Sequence, residues 1–266
     1  MHCKKLFLLA LIACFALISC EQIIDVDLNS AAPKYVIEGA ITDSNKPHQI
    51  KITQTKDFDE KDDFKGVDNA EVFISDDKGN SKSFIHVDSG VYHGNDFSGV
   101  PGNTYTLTVD IEDETFTASS KMPDPVEFRE LNVEVISILG NTIMFPNALF
   151  PDPEGIDNYY RHILFVNKEK SNSIFVSSDD LFDGNYVERT LPYGDFENGL
   201  NPGDTILVEM QSIDKNIYEY FSSLLKTINR SAASPANPTT NISGGALGYF
   251  SAHTVQTRSV VIDNEN

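Results

Sequence analysis

A chain of 266 residues with 40 acidic and 20 basic side chains carries a formal charge of −20. This excludes nucleic acid as a natural partner, because binding a polyphosphate needs a cationic surface to displace counterions, and the basic residues here are scattered. Cys3, Cys14 and Cys20 all lie at or before position 20, so no disulfide framework staples the remainder and its stability must come from an apolar core.

Lys4 and Lys5 precede an apolar run from Leu6 to Ile18, and small Ser19 stands directly before Cys20. The run is shorter than the roughly 20 residues that span a bilayer, and polar, acidic sequence follows at once. Residues 1–19 therefore read as a signal peptide. Leu17-Ile18-Ser19-Cys20 resembles the bacterial lipobox, which implies cleavage before Cys20 and a covalent diacylglycerol and N-acyl chain on it, with no other cofactor expected. Several acyl chains hold a protein on a membrane where one holds only marginally. Residues 20–33 are the expected lipidated cysteine and tether, and the acid of the body reads as a solvated coat that keeps it off the lipid headgroups.

From position 34 to about 122 short alternating runs are punctuated by Gly, Asn, Asp and Pro, the pattern of a β-sandwich. Val36 to Ile41 is a first strand; Ile50 and Ile52 alternate with polar neighbours in a second, and Val72 and Ile74 in a third. Turn chemistry at Asp76 to Asn80 leads into Ser83 to Val87. Gly90-Val91-Tyr92 starts another strand, and Thr104 to Asp110 follows with Tyr105, Leu107 and Val109 on one face. Gly39 to Asp43, Val67 to Val72, Gly90-x-Tyr92 and Pro101-Gly102-x-x-Tyr105-x-Leu107 are similar to the carboxypeptidase-regulatory-like and transthyretin-like sandwich, a resemblance that implies a spacing module without catalytic residues.

Lys121-Met122-Pro123-Asp124-Pro125 reads as a linker, since each proline biases its predecessor away from helix and cannot join a central ladder. Residues 123–266 are expected to form a second sandwich, so the chain is predicted to be all-β, two Ig-like or transthyretin-like sandwiches in tandem. Its strands are Leu131 to Ile136, Thr142 to Phe145, Tyr159 to Asn167, Ser173 to Ser177, Tyr186 to Leu191 and Ile206 to Ile213, with a final strand pair ending near Ile262. One short helix is predicted over 214–229, capped by Asp214, with Tyr218, Phe221, Leu225 and Ile228 as its apolar stripe and Ile217 and Leu224 widening it.

A lipobox, an acidic tether, an early Val-Ile-Glu-Gly strand, a Pro-rich mid-linker, Asp152-Pro-x-Gly-x-x-Asn158-Tyr159-Tyr160 and Asn241-Ile-x-Gly-Gly-x-Leu-Gly-Tyr-Phe250 together resemble the Bacteroidota lipoproteins classed as domain of unknown function 4249. The resemblance implies an outer-membrane lipoprotein, often paired with a TonB-dependent receptor, and brings no catalytic residue with it.

No catalytic signature accompanies these features: Ser243 lacks the Gly-x-Ser-x-Gly elbow, and there is no His-Glu-x-x-His or Walker loop. No enzyme activity is expected, although a hydrolase site assembled from distant carboxylates is a third reading. His86 and His93, with Asp88 or Asp96, could meet across a hairpin, but two histidines without a third fixed ligand make a weak metal site. The acid-rich loop with Asp57, Asp59, Asp62 and Asp63 invites calcium without matching an EF-hand, since Lys61 stands at a ligand position and Asp62 where glycine is needed. Gly244, Gly245, Tyr249 and Phe250 are a candidate binding surface, with a bulged strand entering the sandwich as the alternative. Asp204-Thr205-Ile206 resembles a bacterial O-glycosylation signal. The functional expectation is a lipid-anchored outer-membrane accessory or ligand-binding lipoprotein partnering a TonB-dependent transporter; the alternative is an adhesive or structural surface lipoprotein.

Overall fold

Alternating apolar residues set the strands, and one long C-terminal strand decides how they assemble. A computed structural model of the chain describes residues 32–57, 60–138, 141–194, 199–229 and 237–263, and Cys20 with the expected signal peptide and most of the expected tether lies outside them. The first strands are β1 (Tyr35–Thr42), β2 (His48–Gln54), β3 (Glu71–Asp76), β4 (Ser81–Asp88), β5 (Val91–Gly94), β6 (Thr104–Ile111) and β7 (Glu114–Lys121). Next come β8 (Glu130–Ile138), β9 (Asn141–Pro151), β10 (Tyr159–Val166), β11 (Glu169–Lys170), β12 (Phe175–Ser178), β13 (Tyr186–Thr190) and β14 (Thr205–Ile213). The helix α1 (Lys215–Ile228) precedes β15 (Ile242–Ser243) and β16 (Leu247–Val261). The protein is all-β with one helix and a sandwich-like build, as its alternation predicts.

Strands β11-β10-β14-β16-β1-β2-β5-β4-β3-β6-β7-β15 form one hydrogen-bonded path with β12 beside β10, and β13-β9-β8 form a separate sheet. The join is β16. Its residues Leu247 to His253 pair in parallel with Val36 to Thr42 of β1, and Thr254 to Val261 pair antiparallel with Ser212 to Thr205 of β14. Where the partner changes, Phe250 to Thr254 are all buried, as a strand covered on both faces must be. In place of the expected terminal strand pair there is therefore one strand of 15 residues preceded by a two-residue bridge.

Pro33 onward forms a single compact unit with separate apolar interiors. One gathers Ile37, Ile50, Ile74, Tyr92, Leu107 and Met122, together with Phe250 and Ala252 from β16. The next begins at Val126 and holds Phe128, Phe150, Tyr160, Leu164 and Val208. The change falls within the Pro-rich linker, whose Met122 and Val126 belong to different interiors.

Two strands depart from expectation. β7 carried too faint an apolar signal in Thr-Phe-Thr-Ala-Ser-Ser, yet Phe116, Ala118 and Ser120 alternate inward. β9 runs through Pro146 to Pro151, because the Pro146 carbonyl still accepts the Leu191 N–H at 2.8 Å and the ladder proceeds without its own N–H.

In α1 the Asp214 side chain caps Ile217 N–H as predicted, at 3.0 Å. Buried Ile217, Tyr220 and Phe221 form the inner face, whereas Ile228 is 58% exposed at the last turn. The stripe is shifted from the predicted one because Tyr220, rather than Ile228, meets Tyr249 of β16, with ring centroids 4.8 Å apart.

Candidate site at the junction of the two halves

The Pro-rich linker, the Asp152–Tyr160 segment and the start of α1 converge on a cleft of about 290 Å³. Its accessible apolar lining comes from Pro123, Pro125, Pro153 and Ile156, while Met122, Val126 and Ile213 of the same lining are buried. Tyr159 lines one side, its ring 5.2 Å from that of Tyr218 on the helix. Charged groups stand at the mouth: Lys121, Asp124, Asp157 and Lys215 are exposed. Lys215 reaches Glu219 at 4.0 Å, and the other three make no ion pair among the described residues.

Hydrogen bonds lock the cleft walls together. Asp214 Oδ2 accepts from Ser120 Oγ at 2.5 Å and from Lys121 N–H at 3.1 Å, while Ser120 Oγ accepts the Ala252 N–H at 2.8 Å. One carboxylate thus caps the helix and ties it to β7, and through Ser120 to β16. Burial pushes its pKa up, and the donors around it pull the other way. Two more side chains splint the long strand: Asp43 Oδ1 accepts from Val255 N–H at 3.0 Å and Gln256 Oε1 from Phe128 N–H at 2.9 Å.

Beside the cleft two turns are tied by carboxylates. Asp152 accepts from Tyr160 Oη at 2.5 Å and from Gly184 N–H at 3.1 Å, Asp179 from Asn158 N–H at 2.7 Å, and Asp183 from Gly155 N–H at 2.7 Å. Gly155 and Gly184 hold positive φ of 75° and 71°, the left-handed geometry these turns need. Oxygens of Asp152, Asp179 and Asp183 lie within 4.8 Å of one another. Burial, with the nearby Asp152 and Asp183 charges, pushes the Asp179 carboxyl up, and burial with Asp152 pushes the Tyr160 phenol up. Such an oxygen set is the kind a hard divalent cation uses. Sequence reading passed over this trio because its members are 27 and 4 residues apart in an otherwise acid-rich chain.

A second polar cluster lies under α1. The Arg161 guanidinium sits 3.8 Å from the Phe221 ring centroid and donates to Gln211 Oε1 at 3.4 Å, whose amide donates to Glu209 at 2.6 Å. No carboxylate comes within 4.0 Å of Arg161 among the described residues. Burial pushes its pKa down and raises that of neighbouring Tyr220 to about 12. The one available sequence signal was a cation on the outward face of an otherwise apolar strand, a face that α1 covers.

The residues singled out in the sequence are dispersed. Phe250 is fully buried in the first interior, so it offers no binding surface, and Tyr249 packs against Tyr220 and Phe221. At Gly244, with φ 93°, a Cβ would stand 2.8 Å from the Phe116 ring, whereas Gly245 is open. Among the described residues, Asp57, Asp62 and Asp63 belong to no group of three such side chains close enough to share a cation, and Asp59 lies outside the described residues. His86 pairs with Tyr92 and His93 with Ile85, on opposite faces of the pleat, so the two histidines do not meet; His86 bonds Asp68 at 3.1 Å instead. Thr205 is exposed at the start of β14.

Strand order, shared strand and junction define an all-β protein of sandwich-like build, its two larger apolar interiors joined by a common strand. The chain belongs to the family described as domain of unknown function (DUF4249), whose model matches residues 21–259. Among curated proteins, none matches it. Two solved structures are similar over most of its length. A two-domain fibronectin type-III segment from chicken tenascin is 12% identical, with a TM-score of 0.22 over 87% of this chain and 99% of that one. A cytokine receptor complex is 9% identical, with a TM-score of 0.26 over 85% and 95%. At such TM-scores neither bears on function.

Proposed function

We propose that the protein is a non-catalytic, lipid-anchored accessory lipoprotein of the outer membrane of a Bacteroidota cell, which binds a ligand at the junction cleft and partners a TonB-dependent transporter in nutrient uptake. The observation that carries this reading is the position of the family match. It begins at Glu21, the residue after the lipobox cysteine, so the family region is what cleavage before Cys20 would leave. The cleft supports the ligand-binding part, being a concave site lined by prolines and Ile156 with a few charged groups beside them, at the Pro-rich linker. The net charge of −20 supports a body held clear of anionic headgroups.

A mild-detergent pull-down of the lipidated protein from outer membranes, with mass spectrometry of what stays bound, tests the partnership. A TonB-dependent barrel in stoichiometric amount supports uptake, and a protein recovered alone sinks it in favour of an adhesive or structural role. Radiolabelled palmitate incorporated by the native chain and lost in Cys20→Ala tests the anchor.

A further inference from the structure

The junction cleft combines features that together select a ligand class, an inference that rests on the ligand-binding reading above. Its accessible apolar lining, Pro123, Pro125, Pro153 and Ile156, is half-buried or exposed and offers dispersion contact without a polar partner. Its mouth carries both signs of charge on exposed side chains, Lys121 and Lys215 against Asp124 and Asp157. Lys121, Asp124 and Asp157 are not spent on any ion pair among the described residues, which leaves them open to a ligand's charges. A purely anionic ligand would meet two carboxylates, and a purely cationic one two ammonium groups. Only a molecule carrying both charges, with an apolar body between, matches the whole lining. At about 290 Å³ the cleft stands at the small end of ligand sites, with room for a dipeptide but none for a folded partner.

We infer that the junction cleft binds a small zwitterionic peptide, its apolar side chains against Pro123, Pro125, Pro153 and Ile156 and its two termini between the charges at the mouth. The ammonium terminus lies against Asp124 and Asp157, and the carboxylate against Lys121 and Lys215. Because Asp214 already locks β7, α1 and β16 together, the walls are preorganised and little of the binding energy goes into ordering them.

Calorimetric titration of the detergent-solubilised full-length protein with leucyl-leucine, with its N-acetylated and C-amidated form, and with maltotriose tests this. Leucyl-leucine should bind, and capping both termini should weaken it roughly tenfold or more. Asp157→Asn and Lys121→Met, both exposed and outside the cores, should each weaken it about fivefold with the melting temperature unchanged. Equal affinity for the capped dipeptide, or unchanged affinity in both variants, overturns the inference. Heat with maltotriose alone also overturns it while leaving a ligand-binding module in place. Silence with all three removes the cleft as this site, and the transporter partnership is then judged separately by the pull-down.

Discussion

The two halves of the molecule treat buried polarity differently. In the first, the large polar-tipped side chains are satisfied: Tyr92 Oη donates to Val67 O at 2.8 Å and accepts from Ala70 N–H at 2.9 Å, and Tyr105 Oη accepts from Val100 N–H at 2.7 Å. In the second, His162 is 1% exposed with neither ring nitrogen bonded, and Asn147 Oδ1, Asn158 Oδ1, Ser177 Oγ, Arg189 Nε and Thr254 Oγ1 are also buried without partners. Among the described residues, every such atom lies between positions 147 and 254, and none lies in β1 to β7. Buried polar groups without partners are costly and infrequent in native proteins. The first half thus satisfies its buried polarity, whereas the second keeps unpartnered polar groups inside at a cost to stability, and among these Asn158 lines the junction cleft.

The largest expected test of this contrast is a matched pair of core truncations. Phe250→Ala and Phe150→Ala each remove a fully buried ring and should each cost about 3–5 kcal/mol in urea unfolding. The costlier should be Phe250→Ala, because β16 pairs with both β1 and β14 and its loss is felt by both halves. Equal transitions in which only one half melts would break the picture of a shared strand.

Asp214→Ala should come next, at about 2–4 kcal/mol, since it removes a helix cap and leaves Ser120 Oγ and Lys121 N–H without their acceptor. Unfolding should then separate into two steps when followed by hydrogen exchange in β2 and β10. A single cooperative transition of unchanged midpoint would show that Asp214 does not couple the halves.

Acid should weaken both halves, since His162 lies in β10 and His253 in the part of β16 that pairs with β1. Burial, with Arg189 nearby, pushes His162 down to about 3, and burial, with Arg161 and His48 nearby, does the same to His253. Since the unfolded imidazole titrates near 6.5, the unfolded state binds more protons below that pH. This stabilising term is therefore complete above 6.5 and is lost as pH falls towards 3. Asp214, with its pKa pushed up, contributes in the opposite sense within the carboxylate range. Urea midpoints taken between pH 7.5 and 4 should decline, and His162→Phe should flatten the decline; an unaltered slope would remove His162 from the account.

The smallest effect belongs to the acid-rich loop. Asp62→Asn, at an exposed position, should change stability by no more than about 0.5 kcal/mol at neutral pH by the same unfolding assay.

Much of the strand inventory was legible because period-two alternation reports one buried face directly. Ile50 and Ile52, Tyr105, Leu107 and Val109, and Tyr160, His162, Leu164 and Val166 all point inward as the pattern requires. The Asp214 cap was equally readable, since capping is a local hydrogen bond. Tyr249 and Phe250 show where such reading stops. A glycine-rich, aromatic stretch is consistent with a surface or a core, and only the presence of β1 on one side and α1 above decides. Gly248 illustrates the cause: at φ 98° its missing Cβ would lie 2.0 Å from Ile37 O, so glycine is required by a strand more than 200 residues away.

By itself the sequence determined what depends on near neighbours: an acidic chain, an all-β build, most strand positions, a proline-rich change of interior and a capped helix. Tertiary structure alone decided that β16 joins β1 to β14, that the linker and the Asp152–Tyr160 segment share one cleft, and that Asp152, Asp179 and Asp183 meet. The physical reason is range. Alternation and capping arise from interactions spanning a few residues, whereas parallel pairing, shared interiors and side-chain clusters join segments whose separation along the chain leaves no periodic trace.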